Sequence, residues 1–206
     1  GEFKQQGGRL IGEAAIGLDL GRAGGTGNLD NTGGLITTTG LLSFARLKDV
    51  TNTAGEIGSS QTFTLIAQGL DNTRGKLISQ GLLKVQASTL TNNGGLLSGW
   101  QGLTVTGGTL SNRQSGTLSS KAGDLTATLT GTLDNGDNGA LVSQKALTVT
   151  AANLANTGGV LSSGTAQTLT VTGTLQNDAL QNGPKGLIDA GTTLSISAGH
   201  FANTGG

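Results

Sequence analysis

Nine asparagines recur at nearly even intervals along the chain: Asn31, Asn52, Asn72, Asn92, Asn112, Asn135, Asn156, Asn177 and Asn203, spaced by 21, 20, 20, 20, 23, 21, 21 and 26 residues. A carboxamide has two N–H donors and an acceptor oxygen, so a periodic row of them has two uses. Left exposed, it offers paired donors and acceptors to a glycan. Turned into a stack, each amide can hydrogen-bond its own turn and the amide one repeat away. The stacked reading is preferred, with the Asn expected in a left-handed corner conformation beside glycines of the same corner logic.

Other residue types with chemical capacity are sparse. His200 is the only histidine and cysteine is absent, so neither a nucleophilic triad nor a His- or thiolate-based metal site can be assembled. Glycoside hydrolysis needs two facing carboxylates. The acids here, Asp30, Asp71 and Asp134 beside the marked Asn with Glu56 and Asp49 elsewhere, read mostly as corner residues. Asp134-Asn135-Gly136-Asp137-Asn138-Gly139 has calcium-ligand types but no closing Glu at loop position 12, and reads as an Asx-rich turn. No catalytic residue, metal or cofactor is therefore expected. Trp100 is expected to face outward and, with Asp137, Asn138, Asp178 and Lys185 in two insertions (136–139 and 178–186), supplies the candidate partner contacts. Thr62/Thr64, Thr104/Thr106, Thr126/Thr128, Thr148/Thr150 and Thr170/Thr172 form Thr-x-Thr pairs. Such arrays resemble ice-binding β-helices, although Lys84 and Gln86 interrupt this one and Thr also suits any exposed strand.

These residues need a scaffold, and the columns around each mark define it. Two before the Asn stand Leu29, Val50, Leu70, Leu90, Leu110, Leu133, Leu154, Leu175 and Phe201. After it come Ile36, Ile57, Leu77, Leu97, Leu118, Leu141, Leu161 and Ile188, each followed two on by a small residue. A second apolar pair follows, as in Phe63/Leu65, Leu83/Val85, Leu103/Val105, Leu147/Val149 and Leu169/Val171. Apolar residues two apart mark strands with one buried face. One repeat cannot bury that face alone, whereas stacked repeats can. The expected fold is all-β, a parallel β-helix (solenoid) of about nine to ten coils with repeats of ~20–21 residues. A propeller is disfavoured, because a blade needs about 40 residues.

Composition agrees. Apolar residues are 34%, aromatics 2% and Gly 38 of 206, which calls for a thin aliphatic core. Twelve basic and twelve acidic residues give zero net charge, so no basic stripe exists and nucleic acid is not an expected partner. The chain is read as a single β-helix segment, 1–206, cut from a longer array, with 1–3 a cloning remnant, 4–28 a degenerate first coil and 29–206 regular coils.

Leu29-Asp30-Asn31-Thr32-Gly33-Gly34-Leu35-Ile36, with Leu103-Thr104-Val105-Thr106 and Leu147-Thr148-Val149-Thr150, resembles the repeats of filamentous haemagglutinin and of CdiA-type contact-dependent inhibition exoproteins. The resemblance spans essentially the whole chain. It implies a right-handed β-helical filament of a secreted, cell-surface bacterial protein, exported by a dedicated outer-membrane β-barrel of the TpsB type (two-partner secretion). Such proteins adhere to host cells or carry a toxin to neighbouring bacteria, so a receptor or glycan on a host or bacterial cell is the implied partner and a monomeric filament the implied state. Neither the Asn-Pro motif of the secretion domain nor the Val-Glu-Asn-Asn boundary before a toxin occurs here, which places the segment in the shaft. The competing readings are a polysaccharide-acting β-helix enzyme, which would cluster carboxylates over adjacent coils, and an ice-binding β-helix.

Overall fold

The computed structural model describes residues 1–21 and 24–206. Among them there is no helix, and every strand pairing is parallel. A nine-stranded sheet takes one short strand from each repeat, from Arg9–Gly12 through Lys76–Ser79 and Leu96–Gly99 to Leu187–Ala190. A twelve-stranded sheet collects the rest of each repeat, and a third sheet joins only Ala15–Asp19 to Leu41–Ala45. This is a β-solenoid.

Register decides what lies over what. Leu77 pairs with Ile57 on one side and Leu97 on the other, and Leu97 pairs with Leu118. The same column continues through Leu141 and Leu161 to Ile188. A second column runs Leu70, Leu90, Leu110, Leu133, Leu154 and Leu175. Ile57, Leu77, Leu97 and Leu118 are fully buried, each contributing about 1.5–3 kcal/mol by leaving water. Aliphatic side chains stacked in parallel register fill the narrow interior, so a thin core with few aromatics is still fully buried.

Strands of the larger sheet vary in length: Leu82–Thr91 and Gly102–Ser111 each run unbroken through the second apolar pair and the residues before the marked Asn, whereas Leu125–Leu129 and Thr132–Asp134 separate. The structure corrects the sequence reading at three points. Leu169 and Val171 do not lie over Leu147 and Val149. The register is Leu147 to Gln167, Val149 to Leu169 and Ala151 to Val171, so a buried glutamine occupies the leucine column. The outward threonines shift with it. Thr168/Thr170, not Thr170/Thr172, continue Thr104/Thr106, Thr126/Thr128 and Thr148/Thr150, and Thr64 stands beside Ile66 rather than pairing with Thr62. Phe201 stacks on Leu175, yet is 45% exposed because nothing among the described residues covers its other face.

Candidate functional site: the asparagine corner

Each repeat turns from the twelve-stranded sheet into the nine-stranded one at the marked Asn. Its backbone N–H donates one coil onward, as Asn72 does to the Thr91 carbonyl at 2.7 Å. Its side chain points into the molecule. Nδ2 of Asn31 donates to Oδ1 of Asn52 at 2.7 Å, and the pattern repeats through Asn72, Asn92, Asn112, Asn135, Asn156, Asn177 and Asn203 at 2.6–2.8 Å. The same nitrogen reaches the carbonyl of the Gly that closes its own turn, for example Gly95 at 3.1 Å from Asn92, and a carbonyl of the next coil, Thr117 at 3.2 Å. Asn31 to Asn156 have no exposed surface. From Asn52 to Asn177 donors and acceptors are consumed by the stack, so these amides present no free edge to a glycan.

The marked Asn is not the left-handed residue. Positive φ falls two positions later, on Gly33, Ala54, Arg74, Gly94, Gln114, Asp137 and Gly158. This corrects the expectation of a left-handed backbone at the Asn itself, whose part in the corner is carried by its amide. The two glycines of the motif also do different work. The first needs only a left-handed φ, which Ala54 and Arg74 also adopt at a cost of about 1–2 kcal/mol. The second has an ordinary φ, but a Cβ on it would overlap the Asn carbonyl oxygen of the preceding coil, as at Gly55, Gly75, Gly95, Gly116, Gly139 and Gly159. Ala54→Gly is therefore expected to stabilise the chain by about 0.5–1 kcal/mol, seen as a raised urea midpoint with unchanged slope.

Sequence reading missed one rung. Phe3-Lys4-Gln5-Gln6-Gly7-Gly8 aligns with Leu29-Asp30-Asn31-Thr32-Gly33-Gly34, since Phe3 pairs with Leu29 and the Gln5 N–H donates to the Asp30 carbonyl. Gln5 thus occupies the Asn column with one methylene too many. Its Nε2 and the Asn31 Oδ1 are both buried without a partner. The Gly-Gly two residues on was the available signal. Gln5→Asn should let the ladder gain this rung, stabilising the first coil by about 1–2 kcal/mol and slowing amide hydrogen exchange over residues 2–12.

Aspartates frame the corner. Asp30 Oδ1 accepts from the Thr32 hydroxyl at 2.7 Å and the Thr32 N–H at 3.0 Å; Asp71 does the same with Thr73 at 2.6 and 2.9 Å; Asp134 accepts from the Gly136 N–H at 3.1 Å. The Thr32 hydroxyl, first among several donors, holds the Asp30 carboxyl below its ordinary value. A depressed folded-state pKa means this contribution is present at neutral pH and fades as pH falls through that value. Glu56 pairs with Lys76 at 3.7 Å on the surface, where such pairs contribute little.

The candidate partner contacts divide between two corners. Asp137 and Asn138 lie on the asparagine corner two coils away from Asp178: the Asp137 N–H donates to the Thr157 carbonyl and the Asn138 N–H to the Gly158 carbonyl of the coil between, whose Gly158 N–H donates to the Asp178 carbonyl. Lys185 is exposed in the 178–186 insertion of that corner. Trp100 is 53% exposed on the opposite corner, between Gln80 and Lys121 of adjacent coils. That corner is tied by buried serines: Ser79 Oγ donates to the Gln61 carbonyl at 2.8 Å and Ser120 Oγ to Gly123 at 2.7 Å. This gives the small-residue column its role. His200 is exposed and pairs across from Thr174. Among the described residues no three His, Asp or Glu side chains come together as a metal site.

A family model described as the haemagglutinin repeat matches residues 5–49, 25–137, 122–179 and 170–206. No curated protein and no solved structure matches the chain. Overlapping matches from residue 5 to residue 206, over a parallel solenoid whose coils from Asn31 onward turn on the same Asn, establish that the chain belongs to the haemagglutinin repeat family.

Proposed function

We propose that the chain is a stretch of shaft in a large secreted bacterial exoprotein, one that holds an adhesive or toxin-bearing region away from the cell. The observation that carries this reading is where the polar side chains go. The amides and buried serines are spent on joining one coil to the next and the corner carboxylates on closing their own turns, which suits a part whose task is length. On this reading residues 1–206 are one segment of a longer array that works as a monomeric filament on the outer face of the cell, delivered there by a TpsB-type β-barrel partner.

Excising whole repeats from the exoprotein tests it. Removing residues 72–111, two repeats, should shorten the filament by about 10 Å and leave receptor binding or inhibition of neighbouring cells intact. Loss of binding with the rod still folded would overturn the shaft reading and assign adhesion to the coils themselves. In that case Asp137, Asn138, Asp178 and Lys185 on one corner and Trp100 on the other are the residues to substitute. The four-coil Thr array favours ice binding only weakly, because Lys84/Gln86 and Thr64/Ile66 occupy the same columns. No thermal hysteresis is expected at any chain concentration.

A further inference from the structure

We propose that the coil containing Gln167 is a built-in opening point, at which the following strands Leu187–Ala190 and Leu194–Ala202 detach while the rest of the solenoid stays folded. The inference does not depend on the shaft reading. Three independent features fall on this one coil.

The first is the core. In the column Phe63, Leu83, Leu103, Leu125, Leu147, Gln167, Leu194, only position 167 is polar. Gln167 is 1% exposed, and both its Nε2 and Oε1 lack a hydrogen-bond partner. A buried amide with neither atom paired is a net destabilisation relative to leucine, and opening the contact to Leu194 returns it to water. The second is the ladder. The pairing of Gln167–Gln176 with Leu194–Ala202 shifts register between Val171 and Thr174, which interrupts the ladder within the strand that carries Gln167. The third is the connection. The insertion 178–186 separates Asn177 from the strand Leu187–Ala190, and most of its residues are exposed. A long loop keeps its ends tethered without dictating that they stay stacked. Cooperative opening of such a unit below the global unfolding free energy is the behaviour expected of a weakly bonded subunit.

Hydrogen exchange followed by mass spectrometry on the 206-residue chain tests this against Gln167→Leu. In the parent sequence, amides of 187–190 and 194–202 should exchange together and faster than those of 76–79 and 96–99. In Gln167→Leu, exchange of 187–202 should slow by about 10- to 100-fold, the equilibrium equivalent of removing one buried unpaired amide, with 76–79 and 96–99 unchanged. Unchanged or faster exchange over 187–202 in the variant overturns the proposal. So does equal slowing in every strand, because the amide would then weaken the whole solenoid and not one seam. Leu125→Gln supplies a second check: moving an unpaired amide two coils inward should bring the strands beyond residue 125 into the fast-exchanging set, and failure to do so likewise overturns it.

Discussion

Gly95→Ala is expected to destabilise the chain by more than about 3 kcal/mol, while Gly94→Ala, its immediate neighbour, costs about 1 kcal/mol. The two glycines look interchangeable in sequence. Gly94 has φ +64, and a Cβ there meets only the Arg74 Cγ at 3.3 Å and the Gln114 carbonyl at 3.4 Å, so the loss is that of a side chain in a left-handed conformation. Gly95 needs no special φ, but its Cβ would overlap the Asn72 carbonyl and approach the Asn92 Oδ1 at 2.6 Å and the Asn72 Nδ2 at 3.0 Å. None of these atoms is the loose end of a flexible side chain. Relief requires the two coils to separate, which stretches the Asn72–Asn92 rung. Thermal melts of both variants side by side check this. Similar melting temperatures would mean that glycine serves here through φ alone.

Replacing Asn72, Asn92 and Asn112 together by Ala is expected to lower stability by at least about 4 kcal/mol, a large part of the roughly 5–15 kcal/mol that holds a typical domain folded. Three consecutive amides would vanish from a fully buried row, together with the rungs Asn52–Asn72, Asn72–Asn92, Asn92–Asn112 and Asn112–Asn135. Asn135 Oδ1 would lose its Asn112 donor, Asn52 Nδ2 would lose the Asn72 oxygen while keeping the Gly55 and Lys76 carbonyls, and the carbonyls of Gly75, Gly95 and Gly116 would lose a donor each. Orphaned buried groups cost more than the net value of the bonds removed. Asn→Asp at the same three positions should be worse, since stacked carboxylates repel and cannot donate. Unchanged melting of the Ala variant would remove the ladder as a source of stability.

The sequence carried the fold because one column repeated nine times is a stronger signal than any single strand. Ile57, Leu77, Leu97 and Leu118 could be set in line by counting from each Asn. The corner was half legible. The Asn period announced a ladder, but not that φ turns positive two residues later, since Ala54 and Arg74 show that the left-handed position tolerates side chains. Counting from the Asn failed where the chain changes length between marks. In the coil after Asn156 the strand starts two residues earlier than the Leu169/Val171 alignment implies, and an apolar residue was matched to an apolar residue instead of Gln167 to Leu147. Gln5 was passed over because it is not Asn, although Phe3 and Gly7-Gly8 flank it at the right offsets. Corner assignments of outward residues such as Trp100 and Lys185 required register, which composition does not supply.

Spin-label distances along one outward column test the stacking most directly. Arg9, Leu35, Glu56, Lys76, Leu96, Thr117, Ala140 and Val160 pair in succession. Labels at Glu56 and Val160, five coils apart, should therefore lie about 24 Å from each other, and labels at Arg9 and Val160, seven coils apart, about 34 Å, at about 4.8 Å per coil. A distance that rises in proportion to the number of coils is what a parallel solenoid requires. Distances that fail to grow from the first pair to the second, as strands folded back in antiparallel hairpins would give, would contradict it.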